Sequence, residues 1–177
     1  MNHQQSLAVV LEESSLAQDV VTGTLAPSAF RRAVNAWITG GSARRLPSSS
    51  LLLVRVDGEQ PADRATAAFN LRTVAELAGL CLHTHDIIGR VDSHTVGILL
   101  PSTPKLQAEQ LSRRVRASIS EGSRLAGAPM TASVGISSEL LGQPWVDAAA
   151  AVAEAQAAGG DRTVVATPQV EELRRAA

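Results

Sequence analysis

Apolar residues recur at helical spacing in several stretches of the chain and gather into short β-prone runs in others. Over residues 4–18, Leu7, Val10, Leu11 and Leu16 predict an N-terminal helix, too short to persist without a partner surface. Gly23 and Pro27 interrupt that pattern. Phe30, Val34, Trp37 and Ile38, at i, i+4, i+7 and i+8, then predict a second helix. GGSARRLPSSS at 40–50 reads as a loop, and LLLVRV at 51–56 as a buried strand ending in an Asp57-Gly58 turn. A third helix follows Pro61, with Leu71, Val74, Ala75, Ala78 and Leu82 on one face as far as about His83.

DIIGRV (86–91) and TVGILL (95–100) flank Asp92-Ser93-His94 and predict a hairpin with a three-residue polar tip. Thr103-Pro104 predicts an N-cap followed by proline at the first helical position. Leu111, Val115 and Ile119 carry that helix to near Gly122. MTASVGIS (130–137) is a strand, VDAAAAVAEAQAAGG (146–160) an alanine-rich helix stopped by Gly159-Gly160, and TVVA (163–166) a last strand. The hairpin interrupts the β–α alternation, so the sheet must mix parallel and antiparallel pairing. The expected fold is α/β (α+β): a central mixed sheet of about five strands flanked by helices. The N-terminal helix is assigned to 1–18, the domain to 19–166 and a polar tail to 167–177.

Composition narrows the partners more than the chemistry. With 45% hydrophobic and 19% charged residues in 177, the chain is globular, and its formal charge of −1 gives no electrostatic reason to expect nucleic acid or an anionic membrane. Aromatics are 2% with no tyrosine, which removes the stacking platforms of single-strand binders. No apolar run spans a bilayer, no secretory signal opens the chain, and Cys81 is the single cysteine; a cytoplasmic location is expected.

Four stretches in order resemble the GGDEF family of diguanylate cyclases, which condense two GTP into cyclic di-GMP. Asp19-Val20-Val21-Thr22-Gly23, with Phe30 beyond it, is similar to the family's opening D-x-L-T-G and later Phe. LLLVRVDG (51–58) sits where the family has an apolar strand ending in D-x-D. GRVDSHTVGILLP (89–101) aligns without a gap on A-R-Y-G-G-D-E-F-V-V-L-L-P. TASVGIS (131–137) and AQAAGGDRTVV (155–165) resemble the closing S-I-G-V strand and A-K-x-x-G-R-N-x-V-V segment. The resemblance covers about residues 19–165 and implies the family's nucleotidyl-cyclase-like fold.

The chemistry departs from that pattern. The resemblance implies two Mg²⁺ held by an acid at the end of the first strand and another at the third signature position; those positions are Arg55 and His94. The signature loop reads Asp92-Ser93-His94-Thr95-Val96, and its first two residues fill space that glycines leave for a guanine nucleotide. The phosphate-binding Lys and Arg of the closing segment correspond to Gln156 and Gly160, and the base-reading Asn and Asp have no clear match. No catalytic residue, metal ligand or cofactor is therefore assigned; Arg55, Asp57, Asp92 and His94 form a candidate remnant nucleotide pocket. The family's product-inhibition motif R-x-x-D aligns on His83-Thr84-His85-Asp86, with an accessory arginine at Arg114, so His83, Asp86 and Arg114 form a candidate remnant product-binding patch. In place of a magnesium ion, Arg55 is expected to pair with Asp92 or, two residues along its own strand, with Asp57.

Other groupings carry less. His83, His85, Asp86, Asp92 and His94 crowd together in sequence, but the strand 86–91 separates them by about 20 Å. His83 and His85 together lack a third ligand and read as surface histidines. Asp92-Ser93-His94 is a polar turn rather than a triad, whose members converge from distant segments. Cys81 reads as core, and Arg44-Arg45 as a small solvated pair. The favoured reading is an inactive GGDEF-like module that binds another protein, or a second copy of itself, through the N-terminal helix. The alternatives are a cyclic di-GMP or GTP receptor without turnover and a residual diguanylate cyclase.

Overall fold

A computed structural model describes residues 17–40, 48–59, 61–138, 140 and 143–166. In chain order these form α1 (Pro27–Gly40), β1 (Ser50–Val56), α2 (Arg64–Gly79), β2 (Ile87–Arg90), β3 (Thr95–Leu100), α3 (Lys105–Leu125), β4 (Ala132–Ser138), α4 (Pro144–Ala157) and β5 (Thr163–Val165). The strands make one mixed sheet in the order β2-β3-β1-β4-β5. β1 lies at its centre, antiparallel to β3 (Leu53 opposite Gly97) and to β4 (Leu53 opposite Gly135), while β4 and β5 run parallel.

Alternation along β1 divides the core into two layers. Leu52, Val54 and Val56 point to α2 and α3 and meet Leu71, Val74, Val115 and Ile119. Leu51 and Leu53 point the other way, toward Phe30, Val34 and Trp37 of α1 and Ala148 and Val152 of α4. The stripe that predicted α1 is the face it buries. The extended segment before α1 covers the outer edge of β2: Leu25 donates its N–H to the Ile88 carbonyl at 3.3 Å and accepts from Arg90 N–H at 2.8 Å.

Four boundaries differ from the sequence reading. Residues 4–16 of the expected N-terminal helix lie outside the described residues, as does the 167–177 tail, and Gln18 is extended, bridged to Leu25. α2 stops at Gly79 rather than near His83, leaving His83 in a turn. Its start is set by Asp63, whose carboxylate accepts from Ala65 N–H at 2.7 Å and Thr66 N–H at 3.0 Å. Thr103 does not cap α3, because its hydroxyl donates to the Pro101 carbonyl at 3.1 Å and Pro104 takes the cap position. α3 also runs past Gly122 to Leu125. No described helix is long and apolar enough to cross a membrane.

Candidate functional site

The end of β1 meets the hairpin tip. Val56 N–H donates to the His94 carbonyl at 3.1 Å, and Arg55 lies between Thr95 and Ser133 in the strand register. Arg55 shares its face with Leu53, so its side chain runs into the α1–α4 layer. There it lines a cavity of about 180 Å³ with Arg31, Asp92 and Trp145, while Arg31 lies 4.8 Å over the Trp145 ring.

The expected ion pair does not form: among the described residues Arg55 has no carboxylate partner, and its Nε is buried without a hydrogen bond. Both candidate partners are occupied. Asp92 Oδ1 accepts from His94 N–H at 2.7 Å, which closes its own turn. Asp57 Oδ1 accepts from the Ser133 hydroxyl at 2.6 Å, and Asp57 Oδ2 accepts from the Thr131 hydroxyl at 2.9 Å and Asp161 N–H at 2.8 Å. Asp57 therefore ties β1 to β4 and to the loop before β5. Arg55 and Asp92 share one cavity; Asp57 and His94 do not line it. Ser93 is exposed at the tip, and Thr95 and Val96 are buried in β3. Magnesium takes hard oxygen donors in near-octahedral order. Here one carboxylate is closed on its own turn, another is saturated, and a guanidinium occupies the position of the implied ligand. This donor set does not fit the dication that the resemblance implies.

Sequence reasoning missed the brace behind the tip. Asp19 Oδ1 accepts from Val21 N–H, Thr22 N–H and the Thr22 hydroxyl, at 3.1, 2.9 and 3.0 Å. Its other oxygen meets Arg90 Nη1 at 3.1 Å, and Arg90 Nε donates to the Asp92 carbonyl at 2.9 Å. Burial raises the Asp19 pKa, but the Thr22 and Arg90 hydrogen bonds and the Arg90 charge outweigh it and hold the carboxyl below its ordinary value.

The second candidate site lies at the α2–β2 turn, on the wall of a groove of about 1060 Å³. His83, Asp86 and Arg114, the three residues of the expected product-binding patch, all line it, together with Trp37, Gln107 and Gln110. The turn is closed reciprocally: His83 N–H donates to Asp86 Oδ2 at 2.8 Å, and Asp86 N–H donates to the His83 carbonyl at 3.1 Å. His83 and His85 stack with ring centroids 5.6 Å apart and planes 7° from parallel. Their Nδ1 and Nε2 atoms lie 3.5 and 3.6 Å from the two Asp86 carboxylate oxygens. The third partner that the histidine pair lacked in sequence is thus Asp86. Arg114 Nη2 reaches the Cys81 carbonyl at 3.5 Å. Cys81 is half-buried against the first core layer, with its sulfur near the Leu77 carbonyl. Arg44 and Arg45 lie outside the described residues.

Solved structures sharing this architecture over most of the chain are GGDEF domains. Diguanylate cyclase SiaD from Pseudomonas aeruginosa, solved in complex with its activator SiaC, matches with a TM-score of 0.72 and 23% identity over 92% of this chain and 66% of that one. The chain thus spans just under two thirds of that cyclase. The GGDEF domain of DgcB from Caulobacter crescentus, solved in complex with c-di-GMP, gives a TM-score of 0.72 at 15% identity over 84% of this chain and 95% of that one. The FimX GGDEF domain from Pseudomonas aeruginosa gives 0.68 at 18% identity, over 84% and 98%. Sequence comparison finds no matching family profile and no matching curated protein. The fold is that of a GGDEF domain.

Proposed function

We propose that this chain is a GGDEF-like regulatory module of cyclic di-GMP-related signalling that binds another protein and does not itself condense GTP. The observation that carries the proposal is Arg55, a guanidinium with a buried, unpartnered Nε beneath the hairpin tip, where the resemblance implies a metal-binding acid. It opposes a dication there by several kcal/mol, even at an effective dielectric of about 20. The Leu7, Val10, Leu11 and Leu16 stripe is the segment to which we assign the protein contact, with a second copy or with another helix. SiaD, solved with its activator, is a fold relative that carries a protein partner. The test is to incubate purified protein with GTP and Mg²⁺ and search for cyclic di-GMP by mass. None is expected, and its formation removes the proposal. Light scattering is expected to show an assembly that is lost on deleting residues 1–16.

The groove at the α2–β2 turn favours a second reading, a receptor for a cyclic dinucleotide, because it gathers His83, Asp86 and Arg114 on one wall. Calorimetric titration with cyclic di-GMP and with GTP separates the two. Arg55→Ala is expected to shift stability by no more than about 1 kcal/mol, since relief of the unpaired Nε offsets the lost packing. Loss of a measurable GTP affinity in that variant would instead place the receptor first.

A further inference from the structure

The carboxylate of Asp86 poses a problem that the turn around it does not solve. Its side chain is 2% exposed, whereas those of His83 and His85 are 66% and 61% exposed. Buried carboxylates are normally paired with a permanent cation or bound to a metal. Among the described residues its ion-pair partners are the two imidazoles alone. Arg114, on the same groove wall, makes no ion pair with it.

We propose that His83, His85 and Asp86 bind a divalent transition-metal ion of borderline softness, of which zinc is the type. The donor types suit it, since two imidazole nitrogens and a carboxylate oxygen are ordinary zinc ligands. The spacing suits it as well. Donors about 2.1 Å from a tetrahedral zinc lie roughly 3.4 Å from one another. His83 Nδ1 lies 3.5 Å from Asp86 Oδ2 and His85 Nε2 lies 3.6 Å from Asp86 Oδ1, both long for hydrogen bonds and near that donor spacing, with each ring facing a different oxygen of the one carboxylate. All three ligand atoms lie within 4.8 Å of one another, and the exposed rings close the remainder by side-chain rotation. The site is also built before any metal arrives. His83 N–H on Asp86 Oδ2 orients the carboxylate, as a supporting hydrogen bond does in metal sites generally, and the reciprocal turn holds both rings on one side. Three protein donors leave a fourth position open toward the groove, for water or an anionic oxygen. The inference is independent of whether the chain turns over GTP or receives a cyclic dinucleotide.

The test is zinc titration of the full chain by calorimetry, with cobalt as a second probe whose visible absorption reports its coordination. One equivalent of metal is expected to bind. His83→Gln, His85→Gln and Asp86→Asn are each expected to weaken it by about tenfold or more. Asp86→Asn keeps an oxygen to accept His83 N–H, so the turn survives and thermal melting confirms the fold. His94→Gln, at the far end of the hairpin, is expected to change nothing. Arg114→Ala leaves metal affinity equal or higher by removing a nearby cation, whereas a dinucleotide site would lose affinity, so the two readings of this groove fail separately. No uptake at about 0.1 mM zinc, or uptake that survives any one of the three ligand variants, overturns the assignment.

Discussion

Phe30 occupies a recess made by two missing side chains. Gly89 and Gly97 face each other across β2 and β3, and a Cβ on Gly97 would lie 2.2 Å from Phe30 Cε1, one on Gly89 2.4 Å from Phe30 Cβ. The ring has nowhere to retreat, because it is fully buried and stands edge-on to Trp145 at 5.7 Å. Gly97→Ala is therefore expected to cost about 2–3 kcal/mol in urea unfolding, and Phe30→Leu to recover part of that loss in the double variant. Asp19 supplies a pH signature at the same scale. Its folded pKa lies below the model-peptide value of 3.8, so it binds its proton more weakly in the native state than in the unfolded chain. Its stabilisation is complete above that value and is lost as the pH falls toward the folded pKa. Asp19→Asn is expected to flatten the stability curve in this acid range, measured as the unfolding midpoint between neutral and acid pH. Burial shifts Asp147 the other way, so its contribution declines as the pH rises above 3.8.

Helices and strands were legible where one face is apolar and misread where a single residue had two meanings. The stripes of α1 and α3 and the hairpin of β2 and β3 follow from spacing alone. Gly122 read as a helix stop because glycine ends helices; here it lies inside α3, where a Cβ would come 2.5 Å from Leu77 Cδ2 of α2. Its role is close packing, and that depends on a neighbour 45 positions away that no local pattern reveals. The same applies to the candidate sites. Arg55 could be placed at the tip from sequence, but the three donors that claim Asp57 are Thr131 just before β4, Ser133 within it and Asp161 in the loop before β5. The pairing expected with Asp92 or Asp57 thus meets two carboxylates already in use, Asp92 on His94 N–H of its own turn and Asp57 on these three donors. Gly135 gives the clearest prediction at this scale. A Cβ there would lie 2.2 Å from the Ala148 carbonyl oxygen and 2.5 Å from Val152 N, both main-chain atoms of α4. Gly135→Ala must lift the helix off the sheet and is expected to cost about 3 kcal/mol or more, exceeding Gly97→Ala in the same denaturant experiment.

In the whole molecule, β1 is the first of the described strands along the chain and the middle strand in the sheet. Each neighbour arrives late: β3 begins about 40 residues after β1 ends, and β4 is complete only about 80 residues after. During synthesis that second interval lasts roughly 4–16 s, in which SLLLVRV has at least one open edge. A short, charge-poor β-prone segment left waiting is an aggregation hazard, and one charge within it is the usual protection. Arg55 is the single charge in this strand. The same side chain that lies beneath the hairpin tip is thus placed to guard the nascent chain. Arg55→Leu is expected to leave the folded protein at least as stable while lowering the soluble fraction on expression and on refolding from denaturant. Arg55→Lys, which keeps the charge, is expected to restore it; equal soluble yields for the leucine variant and the natural chain would show that the guard is not needed.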